Sequence, residues 1–420
     1  MPPSREQCIQ RDRDDPLARL RDQFMMPDGV IYLDGNSLGP LPRDTPAALH
    51  AVITQQWGQD LIAGWNRHDW VGLPGRLGDL LAPLVGAGLD EVLVTDSTSI
   101  NLYKVLMVAV QSARSRDQDR TVIVSEAANF PSDLYIAQSV AEACGATVHL
   151  AADGEDALAA VDARTAVLLL TQVSYRTGRL HDMAAVTAAA HAAGALMVWD
   201  LAHTAGAVPI NLRGCDADFA IGCGYKYLNG GPGAPAFVWA HPHRQHPVTQ
   251  PIRGWFGHAA PFEFSVDYRP APGIGAYQSG TPSVLAMVAL EHGIRTVLAA
   301  EPLGGVAALQ AKSAALTELF IDLVTPLATT YGVRVVSPLD PARRGSQVSL
   351  AHPHDAHAVV QALIDRGVIG DFRAPDIARF GFAPLYTRFV DVHDAVAHLA
   401  AVLDSEVWRG PRYAVRAAVT

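Results

Sequence analysis

The sequence predicts an α/β protein: a large α/β/α domain on a mainly parallel sheet, with a smaller α+β domain at the C-terminal end. Three observations predict it. Between about residues 90 and 230, short apolar runs alternate with alanine-rich helical stretches. The runs are apolar on both faces, as strands covered by helices on each side must be. Near residue 290 the texture changes to long helical patterns followed by short strands.

The elements follow in order. "EVLVTDS", "TVIVSE", "AVLLLTQ" and "ALMVWDLAH" each read as a buried strand ending in polar residues. "DMAAVTAAAHAAG" is a helix closed by a glycine at a C-cap position. Strand and helix in alternation define a parallel sheet, whose ligands collect beyond the carboxyl ends of its strands. "SVLAMVALEHGIRTVLAAEPLGGVAALQAKSAALTELFIDLV" reads as one or two long helices. "GVRVVSP", "SQVSLAHP", the helix "DAHAVVQALIDRG" and the strand "VIGDF" complete the smaller domain. There is no internal repeat.

Composition bounds the function. A chain of 420 residues, 49% hydrophobic and 18% charged, has ample material for two cores. A net charge of −10 argues against a nucleic-acid partner, because phosphate binding needs a positive surface. The cysteines Cys8, Cys144, Cys215 and Cys223 form no metal-binding spacing, and reduced thiols fit a cytoplasmic protein. The polar N-terminus lacks the apolar stretch of a signal peptide, and no apolar run is long enough to span a membrane.

The strand ends carry the chemistry. Asp200 closes "ALMVWD", where a carboxylate is costly unless a cation or hydrogen-bond donor meets it. Alone it reads as well as a helix cap. His203 follows in "DLAH". Lys226 follows "DFAIGCGY" and precedes the close-approach turn "LNGGPG". A lysine amine held away from water is a nucleophile and base, although a lysine can also snorkel to solvent. Asp, His and Lys on successive strand ends suit pyridoxal phosphate, which needs a lysine and a carboxylate for its ring nitrogen. "TDSTSIN", residues 95 to 101, offers hydroxyls and a helix N-terminus for a phosphate, or simple capping. In "NFPSD", Phe130 can stack on a planar ring and Asp133 can bond its hydroxyl; a turn with a core aromatic is the competing reading. "RGWFGH" sets Trp255 in a glycine-flanked loop.

These motifs resemble the kynureninase family. The likeness rests on "YLDGNSLGPLP", "FPSD", "DLAHTAGAVP", "GYKYLNGGPGAPAFVW", "GWFGH" and "RFGFAPLYTRFVD", which run from residue 32 to about residue 391. It implies the fold-type I architecture of pyridoxal-phosphate enzymes, a homodimer with a shared site, and hydrolysis of L-kynurenine to anthranilate and L-alanine. The implied division is an N-terminal segment (1–50) associated with the small domain, a large domain (51–290) and a small domain (291–420). Lys226 would be joined covalently to the cofactor, with Asp200 on the pyridine nitrogen. Thr98, Ser99, Phe130, Pro131, Ser132, Asp133, Thr171, His203, Tyr225, Trp255 and Thr281 would surround it, Trp255 and Thr281 from across the dimer. Tyr225 would be the acid–base group. Arg379 would clamp the substrate carboxylate, with Arg373 as its competitor. Trp65 and Ser37 would line the substrate pocket. Vertebrate members carry histidine and asparagine at the Trp65 and Thr281 positions, so these residues point to the substrate without a 3-hydroxyl. A cysteine desulfurase or selenocysteine lyase of similar fold needs a cysteine late in the chain, and none follows Cys223. An aminotransferase is the other alternative.

Overall fold

A computed structural model describes residues 2–245 and 249–416. Its centre is a seven-stranded sheet of β1 (Val92–Val94), β2 (Val122–Glu126), β3 (Thr147–Ala151), β4 (Thr165–Thr171), β5 (Leu196–Asp200), β6 (Phe219–Gly222) and β7 (Phe237–Ala240). The spatial order is β1-β7-β6-β5-β4-β2-β3. Only β7 is reversed: it runs antiparallel to both β6 and β1, and the remaining neighbours pair in parallel. The polar ends of β1, β4, β5 and β6 therefore lie along one edge.

The double-sided apolar pattern has a direct cause. Successive side chains on a strand point to opposite faces. Leu168, Leu170, Met197 and Trp199 pack into one core, with Leu77 and Leu81 of the helix Leu73–Val85. Val167, Leu169, Leu196 and Val198 pack into another, with Leu102, Val105 and Leu106 of the helix Thr98–Arg116. Both helices that matter most to the site begin at strand ends. Ser97 caps the helix Thr98–Arg116 by accepting from Ile100 N at 3.4 Å. Pro131 occupies the first turn of Pro131–Cys144, where its missing N–H costs nothing.

The second sheet is antiparallel, in the order β10-β11-β9-β8, with β8 (Arg334–Val335), β9 (Gln347–Ala351), β10 (Asp371–Arg373) and β11 (Ile377–Gly381). Phe320, Phe380 and Phe382 cluster beneath it. The two long helices, Val284–Leu298 and Gly305–Tyr331, lead into this sheet. The N-terminus returns to the same core: Cys8 and Leu33 are buried there, and Ile31–Tyr32 pairs in parallel with Val368–Ile369. Asp12 fixes this return by accepting from the backbone N–H groups of Phe389 and Val390 at 2.6 and 3.0 Å. No helix among the described residues is long and apolar enough to cross a membrane.

Candidate active site

A cavity of about 650 Å³ opens at the carboxyl ends of the large sheet. Thr98, Ser99, Phe130, Ser132, Asp133, Thr171, Asp200, His203, Tyr225, Lys226 and Thr281 all line it. Sequence reasoning had no signal for several further lining residues, among them Tyr175 and Met287.

Asp200 sits at the end of β5, opposite Thr171 at the end of β4. Its Oδ1 accepts from Ala202 N at 2.8 Å and its Oδ2 lies 3.3 Å from the Thr171 hydroxyl. Asp133, in the first turn of its helix, is buried close enough to Asp200 for the two carboxyl groups to interact, and its Oδ2 is enclosed without a partner. Two buried carboxylates so placed cannot both ionise. Burial and then the Asp200 charge hold Asp133 well above the usual carboxylate range. Burial also raises Asp200, but Lys226 and the Ala202 N–H oppose that rise. Asp133 thus carries the shared proton and Asp200 the charge.

Lys226 follows β6 through a short turn. Its Nζ lies 3.0 Å from His203 Nε2 and 5.9 and 5.8 Å from the ring centres of Phe130 and Tyr225. Burial, with Lys226 adding to it, keeps His203 well below its ordinary value, so its imidazole is neutral. The Cys223 sulfur and burial push Tyr225 up, which leaves a phenol rather than a phenolate. The backbone turn at Lys226 is locked by the N-terminal segment: Gly39 N donates to Tyr225 O at 2.8 Å. A side chain at Gly39 would meet the Lys226 carbonyl at 2.6 Å, which accounts for the glycine in "GNSLGP".

Arg379 lies behind the cavity wall. Its Nε donates to Asp371 Oδ1 at 2.9 Å, Nη1 to the carbonyl of Tyr175 at 2.6 Å and Nη2 to Ser37 Oγ at 2.7 Å. Arg373 meets the same carboxylate, at 2.7 Å, but its side chain is 33% exposed against 1% for Arg379. Trp65 and Trp255 are not brought to the cavity. Trp65 stacks on Phe256 and Trp255 packs edge-on against it, with the Trp255 indole donating to Pro261 O at 2.6 Å.

The residues present fit pyridoxal phosphate. A carboxylate faces inward for a ring N–H, the half-exposed Phe130 ring offers a stacking face, and the helix N-terminus at Thr98 and Ser99 offers a phosphate cradle.

Solved structures share this architecture. The chain matches a cysteine desulfurase from Thermococcus onnurineus NA1 with a TM-score of 0.76 at 19% identity, over 92% of this chain and 98% of that one. A C-DES variant with glycine covalently linked to its PLP cofactor gives 0.77 at 18% identity, over 90% and 98%. Fold and site together define a fold-type I pyridoxal-phosphate enzyme. Residues 309–399 match the kynureninase C-terminal domain. Kynureninases of Burkholderia mallei (strain SAVP1) and Pseudomonas fluorescens are 50% and 49% identical over 419 residues, 99% of this chain and 100% of each relative. The chain belongs to the kynureninase family.

Proposed function

We propose that this chain hydrolyses the Cβ–Cγ bond of L-kynurenine, releasing anthranilate and L-alanine, with pyridoxal phosphate held at Lys226. The observation that carries the reading is the placement of the Lys226 amine and the ionised Asp200 carboxylate on the walls of one cavity beside a helix N-terminus. When bound, the cofactor supplies an electron-poor ring that stabilises charge developing on the substrate carbon beside the amine.

The chain's own residues supply the rest. Asp200 accepts a ring N–H, and Asp133, as the protonated partner, keeps that charge on Asp200. Thr98 and Ser99 hold the phosphate with their hydroxyls and the helix N–H groups. Phe130 covers one face of the ring, and Pro131 fixes the turn that presents Phe130, Ser132 and Asp133. Lys226 Nζ removes the proton from the substrate Cα, and neutral His203 can accept a hydrogen bond from that amine without competing for charge. Tyr225 enters as the acid, because its proton is firmly held in the resting site. Arg379 binds the α-carboxylate, a role that suits a planar guanidinium, and it is the family motif around it that selects it over Arg373.

The same reading assigns Trp65 and Trp255 to a partner subunit's cavity, with the chain a homodimer. Support comes from the surface: Phe262, Phe264 and Val266 beside Trp255 are 56%, 75% and 99% exposed, an apolar patch that a second copy would cover. Thr281 reaches the cavity of its own chain. All four cysteines are free, which supports a reducing, cytoplasmic setting.

The test is to incubate the holoenzyme with L-kynurenine and its 3-hydroxy form, following anthranilate fluorescence and alanine. Lys226→Ala should keep the wild-type circular dichroism and lose turnover by roughly a thousandfold or more. Near-wild-type anthranilate release by that variant would overturn the reading.

A further inference from the structure

Around Arg379 lies a group of charges larger than a carboxylate clamp needs. Asp371 meets both Arg379 and Arg373, and Ser37 Oγ donates to Asp371 Oδ2 at 2.7 Å while accepting from Arg379. Asp34, three positions before Ser37, is a second carboxylate in the same group. The backbone places it there: Gly381 N, at the end of β11, donates to Leu33 O at 2.7 Å, and Ser37 N donates to Asp34 O at 2.9 Å. Its Oδ1 is enclosed without a partner, and so is Arg373 Nε.

The groups facing Asp34 come from every side. Asp371, Arg373 and Arg379 lie on β10 and β11. Tyr32 precedes it, Tyr227 follows Lys226, and Tyr386 follows β11. Burial pushes all three phenols up, so they remain neutral. The balance therefore rests on two arginines and two aspartates. With both aspartates ionised it is closed. A substrate carboxylate adds one negative charge, and the nearest further cation, Lys226, already faces Asp200. One carboxyl must take a proton, and Asp371 is not the one: burial raises it, but the ion pairs to Arg379 and Arg373 win and hold it below its usual value.

Resting on the assignment of Arg379 as the carboxylate clamp, we propose that the substrate carboxylate binds together with one proton from solvent, taken up at Asp34, while Asp371 positions the two arginines. Asp34 is poised for this. Burial, then Asp371, raise it to about 7 in the free site. Neutral Asp34 keeps the cluster balanced.

The probe is 4-(2-aminophenyl)-4-oxobutanoate, the substrate lacking its α-amine, which keeps the carboxylate but cannot react with the cofactor aldehyde. Calorimetric titration of the holoenzyme at about pH 7.5, in two buffers of different ionisation heat, reads the protons taken up. Wild type should take up more than about half a proton per ligand at that pH. Asp34→Asn should lose that uptake. Between about pH 7.5 and 8.5 the wild-type Kd should rise several-fold, with tenfold as the ceiling, while Asp34→Asn stays flat. In wild type, whatever the variant's folding, infrared difference spectra should show a protonated-carboxyl stretch appearing on binding. Equal uptake in both proteins, or no such band, overturns the proposal. Arg379→Gln separates the two ideas. If it binds the probe as tightly as wild type, the clamp assignment itself falls. If it loses the probe while Asp34 takes up no proton, the clamp stands and the proposal falls.

Discussion

Asp133 and Asp200 show how one site divides identical groups between two roles. Both are buried and both feel Lys226, but Asp200 also receives the Ala202 N–H and the Thr171 hydroxyl, while Asp133 faces the like charge of Asp200. The first environment favours the anion and the second the acid. Asp34 obeys the same rule and has a measurable consequence for stability. In the unfolded chain its carboxyl ionises near pH 4. In the folded chain it does so at about 7. The folded state therefore holds a proton that the unfolded state has released across that window, and the associated stability is full at low pH and lost as pH rises through 7. Asparagine has no charge to desolvate. The melting temperature of Asp34→Asn relative to wild type should climb between about pH 5 and pH 8. A difference that stays constant or shrinks over that range would refute the assignment.

The elements that carry the site are held to one another by a second buried charge pair. Lys104, one side of the helix Thr98–Arg116, is fully buried. Its Nζ donates to Asp96 Oδ2 at 2.6 Å and to the Tyr277 carbonyl, and Ser279 Oγ donates to the same Asp96 oxygen at 2.8 Å. The loop that begins the phosphate cradle is thereby tied to the segment bearing Thr281. Lys104→Met should leave Asp96 without its cation and cost roughly 3 kcal/mol in urea unfolding. It should also weaken pyridoxal phosphate binding by about tenfold, read by titrating the apoprotein. An unchanged cofactor affinity would show that the tie does not shape the cradle. Sequence located the elements well where burial dictated the pattern. β2, β4, β5 and β6 are almost wholly buried, and their runs are legible for that reason. β3 escaped because it is an edge strand, four of its five residues exposed or half-exposed, with no continuous apolar signature. Capping chemistry marked the start of the helix at Thr98, whereas the helix at Pro131, which has no side-chain cap, was read only as a turn. The Asp34, Asp371 and Tyr175 contacts were invisible for a different reason. Ser37 and Asp371 stand 334 positions apart, and only the return of the N-terminal segment to the second sheet joins them.

That return makes the chain one object rather than two beads: the segment before residue 45 packs Cys8 and Leu33 into the smaller core, Leu20 and Phe24 into the larger, and Gly39 against the Lys226 turn. What the single chain leaves open is its aromatic rim. Trp65, Trp255, Phe256, Phe262 and Phe264 stack on one another outside the cavity. Ile62, on the neighbouring turn to Trp65, is 81% exposed. A folded chain gains nothing by holding such a surface in water, where each exposed large side chain forgoes about 2 kcal/mol of burial. In the homodimer proposed above, a partner burying the rim would recover that energy and bring Trp65 and Trp255 to a second cavity. A charge in the rim should therefore act on assembly and on activity together. Phe264→Asp combined with Val266→Asp touches no residue of the cavity. Light scattering should show the mass falling to one chain while circular dichroism is unchanged. Anthranilate release should fall at least tenfold, because the aromatic wall would no longer be supplied in trans. A doubly charged variant that stays dimeric, or that is monomeric and fully active, would show that the rim serves neither purpose.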